Sequence, residues 1–410
     1  PPQRWLPLVV PILFLARYFD VSSFYDHARA DNLMVLFAVT SVAALCLRRT
    51  AVLVPLFVVS GLLAFWTKQS SIMLYVALIL GYALINWRVA LLAGMALFGL
   101  IFGTFALANA STGGWLYAYT IDAPGYHVLD HGHLLQGLRV HMLGSFGVAS
   151  VLTGLAGLGI AVSGSWPKRD WDDCARTRYM VVVSGVAAGG FTVASLWQPV
   201  SVENVLVLYA VFTAIVVPVV LSWGIEQLRT PARRDVAWNM ALVLLALVVL
   251  QGFQNPHTFH PVEEDAAQWR RLETDLATYG PRERVWVTLH GSPWGGALDR
   301  PTSVHASAMC DLVGGYFGRP TPYSVPEGLI DRIETQYWDV VVVKGWDETM
   351  VRMLAGRYEK DPNNDGLRLP AFAGYGGAWE EYWIRVKNPS ADYQRPNANE
   401  PCAAFGHTAS

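Results

Sequence analysis

Apolar stretches long enough to cross a bilayer recur through the first 254 residues, and arginine and lysine gather at every second gap between them. A membrane span must satisfy its own backbone hydrogen bonds, so stretches of this kind fold as helices of about 20 residues, shorter where protein covers them. Nine are expected: Trp5 to Phe19, Asn32 to Leu47, Ala51 to Trp66, Ser70 to Asn86, Val89 to Ala108, Met142 to Ser163, Tyr179 to Trp197, Val205 to Trp223 and Val236 to Gln251. Arg4, the Arg48-Arg49 pair, Arg88, the set Lys168, Arg169, Arg176 and Arg178, and the set Arg229, Arg233 and Arg234 all fall on one side of this zigzag. Short cytoplasmic loops carry excess Lys and Arg, so that side is expected to be the cytoplasm. The reading is a polytopic α-helical protein of the inner (plasma) membrane. Its composition agrees: 53% of the 410 residues are hydrophobic and only 15% charged, outside the range of soluble domains. A net charge of −2 gives no field to attract nucleic acid, which is not expected as a partner. The chain opens on Pro1-Pro2-Gln3-Arg4 without Met, and a missing upstream segment is expected.

Nine crossings from a cytoplasmic start leave the C-terminal part on the extracytoplasmic side. After Asn255-Pro256 charges are spread throughout, which divides the chain into a transmembrane domain, 1–254, an extracytoplasmic α/β domain, 255–388, and an Asn- and Pro-rich flexible tail, 389–410. Within the second domain Pro261 to Tyr279 reads as a helix with acids in its first turn and Gly280 as its stop. Val285 to Leu289, Val340 to Val343 and Tyr382 to Val386 read as strands, and Glu327 to Tyr337 and Asp347 to Tyr358 as helices, enough for one βαβ unit. Gly291-Ser292-Pro293-Trp294-Gly295-Gly296 matches neither phosphate-loop pattern and reads as a structural loop. The four cysteines form no CxxC. A disulfide between Cys310 and Cys402 would persist outside the cytoplasm, and their spacing neither requires nor forbids it.

The unusual polar residues lie in the loops of the non-cytoplasmic side. The first, Asp20 to Asp31, carries Asp20, Asp26, Asp31, Arg29 and His27 with Arg17 just before it. Such groups at a membrane rim can bind a metal, take a proton from a hydroxyl or clamp a phosphate; singly, each also fits ordinary interfacial charge. Asp31, directly against the next span, and Asp26 are the candidate catalytic carboxylates, with Tyr25 beside them. Thr67-Lys68-Gln69 joins two apolar spans, which holds the Lys68 ammonium at headgroup level, where it can pair with a lipid phosphate or simply snorkel. The third loop holds Gly114-Trp115, Tyr117, Tyr119, Pro124 and His127, then Asp130-His131-Gly132-His133 and His141. Its spacing matches no standard zinc motif, and its aromatics suit stacking against a sugar or capping a lipid groove.

Ala28-Arg29-Ala30-Asp31 before a span, Thr67-Lys68-Gln69 between spans, Gly114-Trp115 followed by Pro124 and His127, and a terminal α/β domain together resemble the bacterial polytopic glycosyltransferases of the GT-C fold. That group is related to protein O-mannosyltransferases (glycosyltransferase family 39-like) and lipid A aminoarabinose transferases. The resemblance covers nearly the whole chain and rests on the order and common sidedness of short motifs. It implies transfer of a sugar from a polyprenyl-phosphate donor to an acceptor hydroxyl of a lipid, glycan or protein at the outer membrane face. Asp31 would belong to the second acidic element of the family, Lys68, Arg29 and Gln69 would contact the lipid phosphate, and Tyr25, Trp115, Tyr119 and His127 would line the cleft. No cofactor is required, and a divalent metal is possible in some branches. The family's principal acidic motif, in the first outer loop, has no match before Asp20. Either upstream helices carry it or Asp20 or Asp26 takes its place.

Two other classes fit parts of the pattern. A transporter or flippase should carry ionisable residues at span centres and internal repeats, whereas here the charge sits at span ends and no repeat is visible. A non-catalytic scaffold with a glycan- or protein-binding outer domain remains compatible with the chain.

Overall fold

A computed structural model describes residues 6–16, 30–122, 129–162, 171–197, 205–228 and 230–252, and beyond them chiefly 284–288, 327–344, 353–361, 367–370 and 379–388. The chain divides into two compact units: Pro1–Gly113 with Leu129–Asn255, and Gly114–Val128 with Pro256–Ser410.

The first unit is helical: α1 (Leu6–Ala16), α2 (Ala30–Leu45), α3 (Thr50–Thr67), α4 (Ile72–Ser111), α5 (His131–Gly137, continued by a π-helical segment, Leu138–Ser145), α6 (Gly147–Val162), α7 (Asp173–Leu196), α8 (Leu206–Glu226) and α9 (Pro231–Gly252). Among the described residues four segments are long and apolar enough to cross a membrane: Thr50–Thr67, Gln69–Ser111, Asp173–Leu196 and Leu206–Glu226. His131–Ser145 and Gly147–Ile160, bent by 93° against each other, make a fifth if they count as one broken span. The chain therefore has the make-up of a helical membrane protein. The sequence expects nine spans. Of the remaining candidates, α2 is a shorter apolar helix, and α9 carries Arg233, Arg234 and Asp235 near its start.

The expected fourth and fifth spans run together as α4, with a break at Asn86, whose φ of −152° and ψ of 89° are non-helical. The Asn86 side chain accepts a hydrogen bond from the Val89 N–H at 3.4 Å, so it caps the half that follows. The halves then lie side by side: a Cβ built on Gly94 would sit 3.5 Å from Ile79 Cδ1, although 15 residues of straight helix span about 22 Å. Both halves pack on α3 at one point, where a Cβ on Gly61 would come within 2.9 Å of Leu97 and of Tyr75. The sequence expectation of two spans separated by Asn86-Trp87-Arg88 thus has a structural counterpart in the fold-back. The expected sixth span differs. Met142 to Ser145 belongs to the π-helical segment, and the chain turns at Phe146 before α6 begins.

Contacts between helices set their directions. A short turn joins α2 to α3 in a hairpin. Along α7, Tyr179 donates to the Gly81 carbonyl at 3.0 Å, and a Cβ on Gly185 or Gly189 would approach Val216 or Tyr209 of α8. Of the basic residues expected on one side, Arg48, Arg176, Arg178 and Arg234 share one end of this unit, and Arg4, Lys168, Arg169 and Arg229 lie outside the described residues. Arg48 pairs with Asp173, Arg176 donates to the Leu47 carbonyl at 3.2 Å, Arg178 pairs with Glu226, and Arg234 donates to the carbonyls of Leu228 and Glu226. Cations at helix C-termini satisfy carbonyls that have no partner within the helix, so Arg234 also caps α8 through the Glu226 carbonyl.

The second unit contains a five-stranded sheet: β1 (Val285–Thr288), β2 (Val340–Lys344), β3 (Tyr358–Lys360), β4 (Leu367–Pro370) and β5 (Trp379–Lys387). β1 and β2 are parallel, with Val285 opposite Val340. β5 runs antiparallel to β2, β3 and β4. Helix α10 (Glu327–Glu334) precedes β2 and buries Ile330 and Ile333 with Trp286, Trp338, Val341 and Val343. Val340 to Val343 are each at most 1% exposed, as a continuous β-branched run covered on both faces should be. The expected strands and the helix before β2 are present, with β5 longer than expected. Tyr358, expected to close a helix, instead opens β3. Pro261 to Tyr279 falls mostly outside the described residues, and the Gly291 loop, Cys310 and Cys402 lie wholly outside them.

Candidate functional site

The end of the first unit opposite the arginines is built around the turn from α3 to α4. Thr67 donates back to the carbonyls of Ala64 at 2.7 Å and Leu63 at 3.1 Å, and the Lys68 N–H closes the last turn on the Ala64 carbonyl at 2.9 Å. Lys68 itself is extended, with φ of −154° and ψ of 109°, which breaks the helix and separates the two apolar segments. Gln69–Ser71 then form a 3-10 turn that leads into α4. Lys68 and Gln69 are half-buried. Ser71 is fully buried, and its hydroxyl has no hydrogen-bond partner among the described residues.

Aromatic side chains pack this end. The Trp66 indole N–H donates to Thr104 Oγ1 at 3.1 Å, and Phe65 makes edge contacts with Trp66 and Phe105. On the far end of α7 the Asp130 N–H donates to the Trp197 carbonyl at 3.0 Å, and the His131 and Trp197 rings lie 5.4 Å apart. Asp130 also accepts from the N–H groups of Gly132 and His133. This N-cap turns part of what the sequence read as the third loop into the start of α5. The carboxylate is therefore committed to backbone donors.

The direction of the α2–α3 hairpin brings Asp31, the second residue of α2, to the same end as Lys68 and Gln69. The side chain of Asp31 lies outside the described residues, as do Tyr25, Asp26 and Arg29. Trp115 stands exposed in the short helical turn Trp115–Tyr117, and Tyr119 belongs to the π-helical turn Ala118–Asp122. Both belong to the second unit, as does His127, which lies outside the described residues. The structure thus gathers Asp31, Lys68 and Gln69 on one unit, and Trp115, Tyr119 and His127 belong to the other.

Ser71 was missed from the sequence. Its signal was a polar Thr67-Lys68-Gln69-Ser70-Ser71 run that extends into the start of an apolar helix. At this corner α3 ends and α4 begins, so the opposite half-charges of the two helix ends offset each other, and Lys68 supplies the cation of the turn. An ammonium at such a place can pair with an anionic oxygen. Among the described residues no three His, Cys, Asp or Glu side chains come close enough together to hold a metal ion, so the divalent metal allowed by the sequence has no ligand set among them.

No protein-family model matches this chain, and no curated protein matches it significantly.

Proposed function

We propose that this protein is an integral membrane glycosyltransferase that moves a sugar from a polyprenyl-phosphate donor to an acceptor hydroxyl. The observation that carries the reading is the α3–α4 turn, where a half-buried lysine and a buried serine whose hydroxyl has no hydrogen-bond partner among the described residues lie between two apolar segments. A phosphate esterified to a membrane-resident hydrocarbon chain is a ligand suited to such a corner, with charge for the turn and an apolar chain for the bilayer. In this reading the acceptor oxygen attacks the anomeric carbon while the sugar–phosphate C–O bond breaks. The acceptor proton passes to Asp31, and the lipid phosphate departs with its charge balanced by Lys68 and Arg29. Gln69 supplies a further donor, Asp26 is the alternative base, and Tyr25 holds the sugar or acceptor. The arginine-bearing end is assigned to the cytoplasm of a cell whose inner (plasma) membrane holds the protein, and the second unit to the opposite side. The acceptor is a lipid, glycan or protein of the cell envelope.

The test is sugar transfer from a synthetic polyprenyl-phosphate donor by the purified full chain in liposomes. Lys68→Ala should raise KM for the donor more than it lowers kcat, and Asp31→Asn should lower kcat. Transfer by both variants at the parent rate and KM would remove these assignments.

A further inference from the structure

A groove of about 500 Å³ runs between α4, α6 and α7, with walls that include Met73 and Leu84, Gly157, and Tyr179, Gly190 and Phe191. We propose that this groove holds one acyl chain of a bilayer phospholipid. Its walls are apolar along their whole length. The one hydroxyl on them, that of Tyr179, already donates to the Gly81 carbonyl at 3.0 Å, so the groove offers a guest nothing to bind except hydrocarbon surface. From Met73 to Leu84 the wall extends about 17 Å at 1.5 Å per residue. One leaflet of the hydrocarbon core is about 15 Å deep, so an acyl chain whose headgroup stays at the interface matches this length.

The groove opens sideways. Met73, Leu84 and Val186 on its rim are exposed, and Leu80 of α4 continues the same apolar surface outward. That surface belongs to segments apolar enough to cross a membrane, so the groove is continuous with the face turned toward lipid. Along one edge α6 and α7 close on each other: a Cβ on Gly157 would lie 2.9 Å from Val186 Cγ2. This narrows the groove on that side to a slot suited to an unbranched chain. The site is independent of the transferase reading and needs no residue of the α3–α4 turn.

Gly190 provides a clean perturbation. A Cβ there meets no protein atom within 4 Å and Gly190 lines the groove, so Gly190→Leu adds side-chain volume at the groove wall with room for its first carbon, and leucine favours the helix. Gly154 on α6 is equally open but does not line the groove, so Gly154→Leu serves as the control. The full chain would be placed in nanodiscs containing a phospholipid with a diazirine on one acyl chain, then irradiated and mapped by peptide. The expected result is labelling concentrated on the groove segments of α4, α6 and α7. It should fall several-fold in Gly190→Leu and stay unchanged in Gly154→Leu, with labelling of the exposed α9 surface at Val243 and Leu247 constant in all three. Equal labelling of groove and α9 surface, or no effect of Gly190→Leu, would overturn the proposal. So would removal of the label by an equimolar polyprenyl phosphate, which would assign the groove to that lipid instead.

Discussion

A tight contact between α7 and α8 yields a prediction whose size follows from distances. A Cβ built on Gly185 would lie 2.6 Å from Val216 Cγ2 and 3.1 Å from Thr153 Cγ2 of α6. Ordinary carbon contacts are about 3.5–4.0 Å, so Gly185→Ala leaves a shortfall of about 1 Å against Val216. Valine in a helix holds one χ1 rotamer about 90% of the time, and Val216 is fully buried. Its methyl cannot swing aside, and the helices must separate. Overpacking of this kind costs about 1–3 kcal/mol, and replacing a helical glycine by alanine returns about 1 kcal/mol. Gly185→Ala should therefore be destabilising by about 0–2 kcal/mol, by the difference of those two ranges. Val216→Ala deletes the clashing methyl and, alone, should cost about 1–3 kcal/mol for two buried carbons. In the double variant the new alanine methyl occupies part of the vacated space, so the two effects should couple favourably by more than about 0.5 kcal/mol. The assay is equilibrium unfolding in bicelles followed by tryptophan fluorescence, run as a double-mutant cycle. Additivity, or a Gly185→Ala protein more stable than the parent by the full helix-propensity gain, would refute the reasoning.

Two further predictions concern the sheet. Arg284 donates to the Asp339 carboxylate at 3.1 Å and Lys387 pairs with it as well, and these cations hold the Asp339 carboxyl below its ordinary value. A lowered folded-state pKa means that this stabilisation is present above the unfolded value near 3.9 and is lost as pH falls through the folded one. Acid unfolding of the full chain, followed by near-ultraviolet circular dichroism, should thus be less steep below about pH 4 in Asp339→Asn; an unchanged profile would show that the contact contributes nothing. The Trp286 indole N–H is buried with no partner among the described residues, while its ring stacks on Trp338 at 4.3 Å. Trp286→Phe trades lost ring area against removal of an unsatisfied donor worth about 1–3 kcal/mol, so it should lie within about 1.5 kcal/mol of the parent, whereas Trp286→Ala should cost about 3–5 kcal/mol. Equal losses in thermal unfolding would contradict this.

Much of the helical unit was legible because its signals are local. Asn86-Trp87-Arg88 interrupts an apolar run, and the chain folds back there. Thr67-Lys68-Gln69 does the same, and Lys68 leaves the helix there. The βαβ unit was legible for the same reason, since Val340 to Val343 is too short for a helix and too β-branched to be anything but a buried strand. The bend at Phe146 was not legible. Met142 to Ser163 reads as one apolar stretch, with no proline to mark a break, and its first residues instead continue the π-helical segment from α5. Tyr358 was misplaced for a related reason: its pairing with Lys387 across β3 and β5 involves a partner 29 residues away.

By itself, then, the sequence determined that this chain is built from apolar helices, where most of them stop, and which of their ends carry arginine, because helix length and charge placement depend on neighbours within a few residues. It also singled out Lys68 and Gln69 as unusual. Charge alternation also put Asp31, Lys68 and Gln69 on one side, and tertiary structure alone decided that Trp115, Tyr119 and His127 belong to a different unit. It also decided that Asp130 serves as a helix cap, that Ser71 is buried without a partner among the described residues, and that α4, α6 and α7 leave a groove between them. Each of these depends on which surfaces meet across dozens of residues of chain, and packing settles that where local propensity is silent.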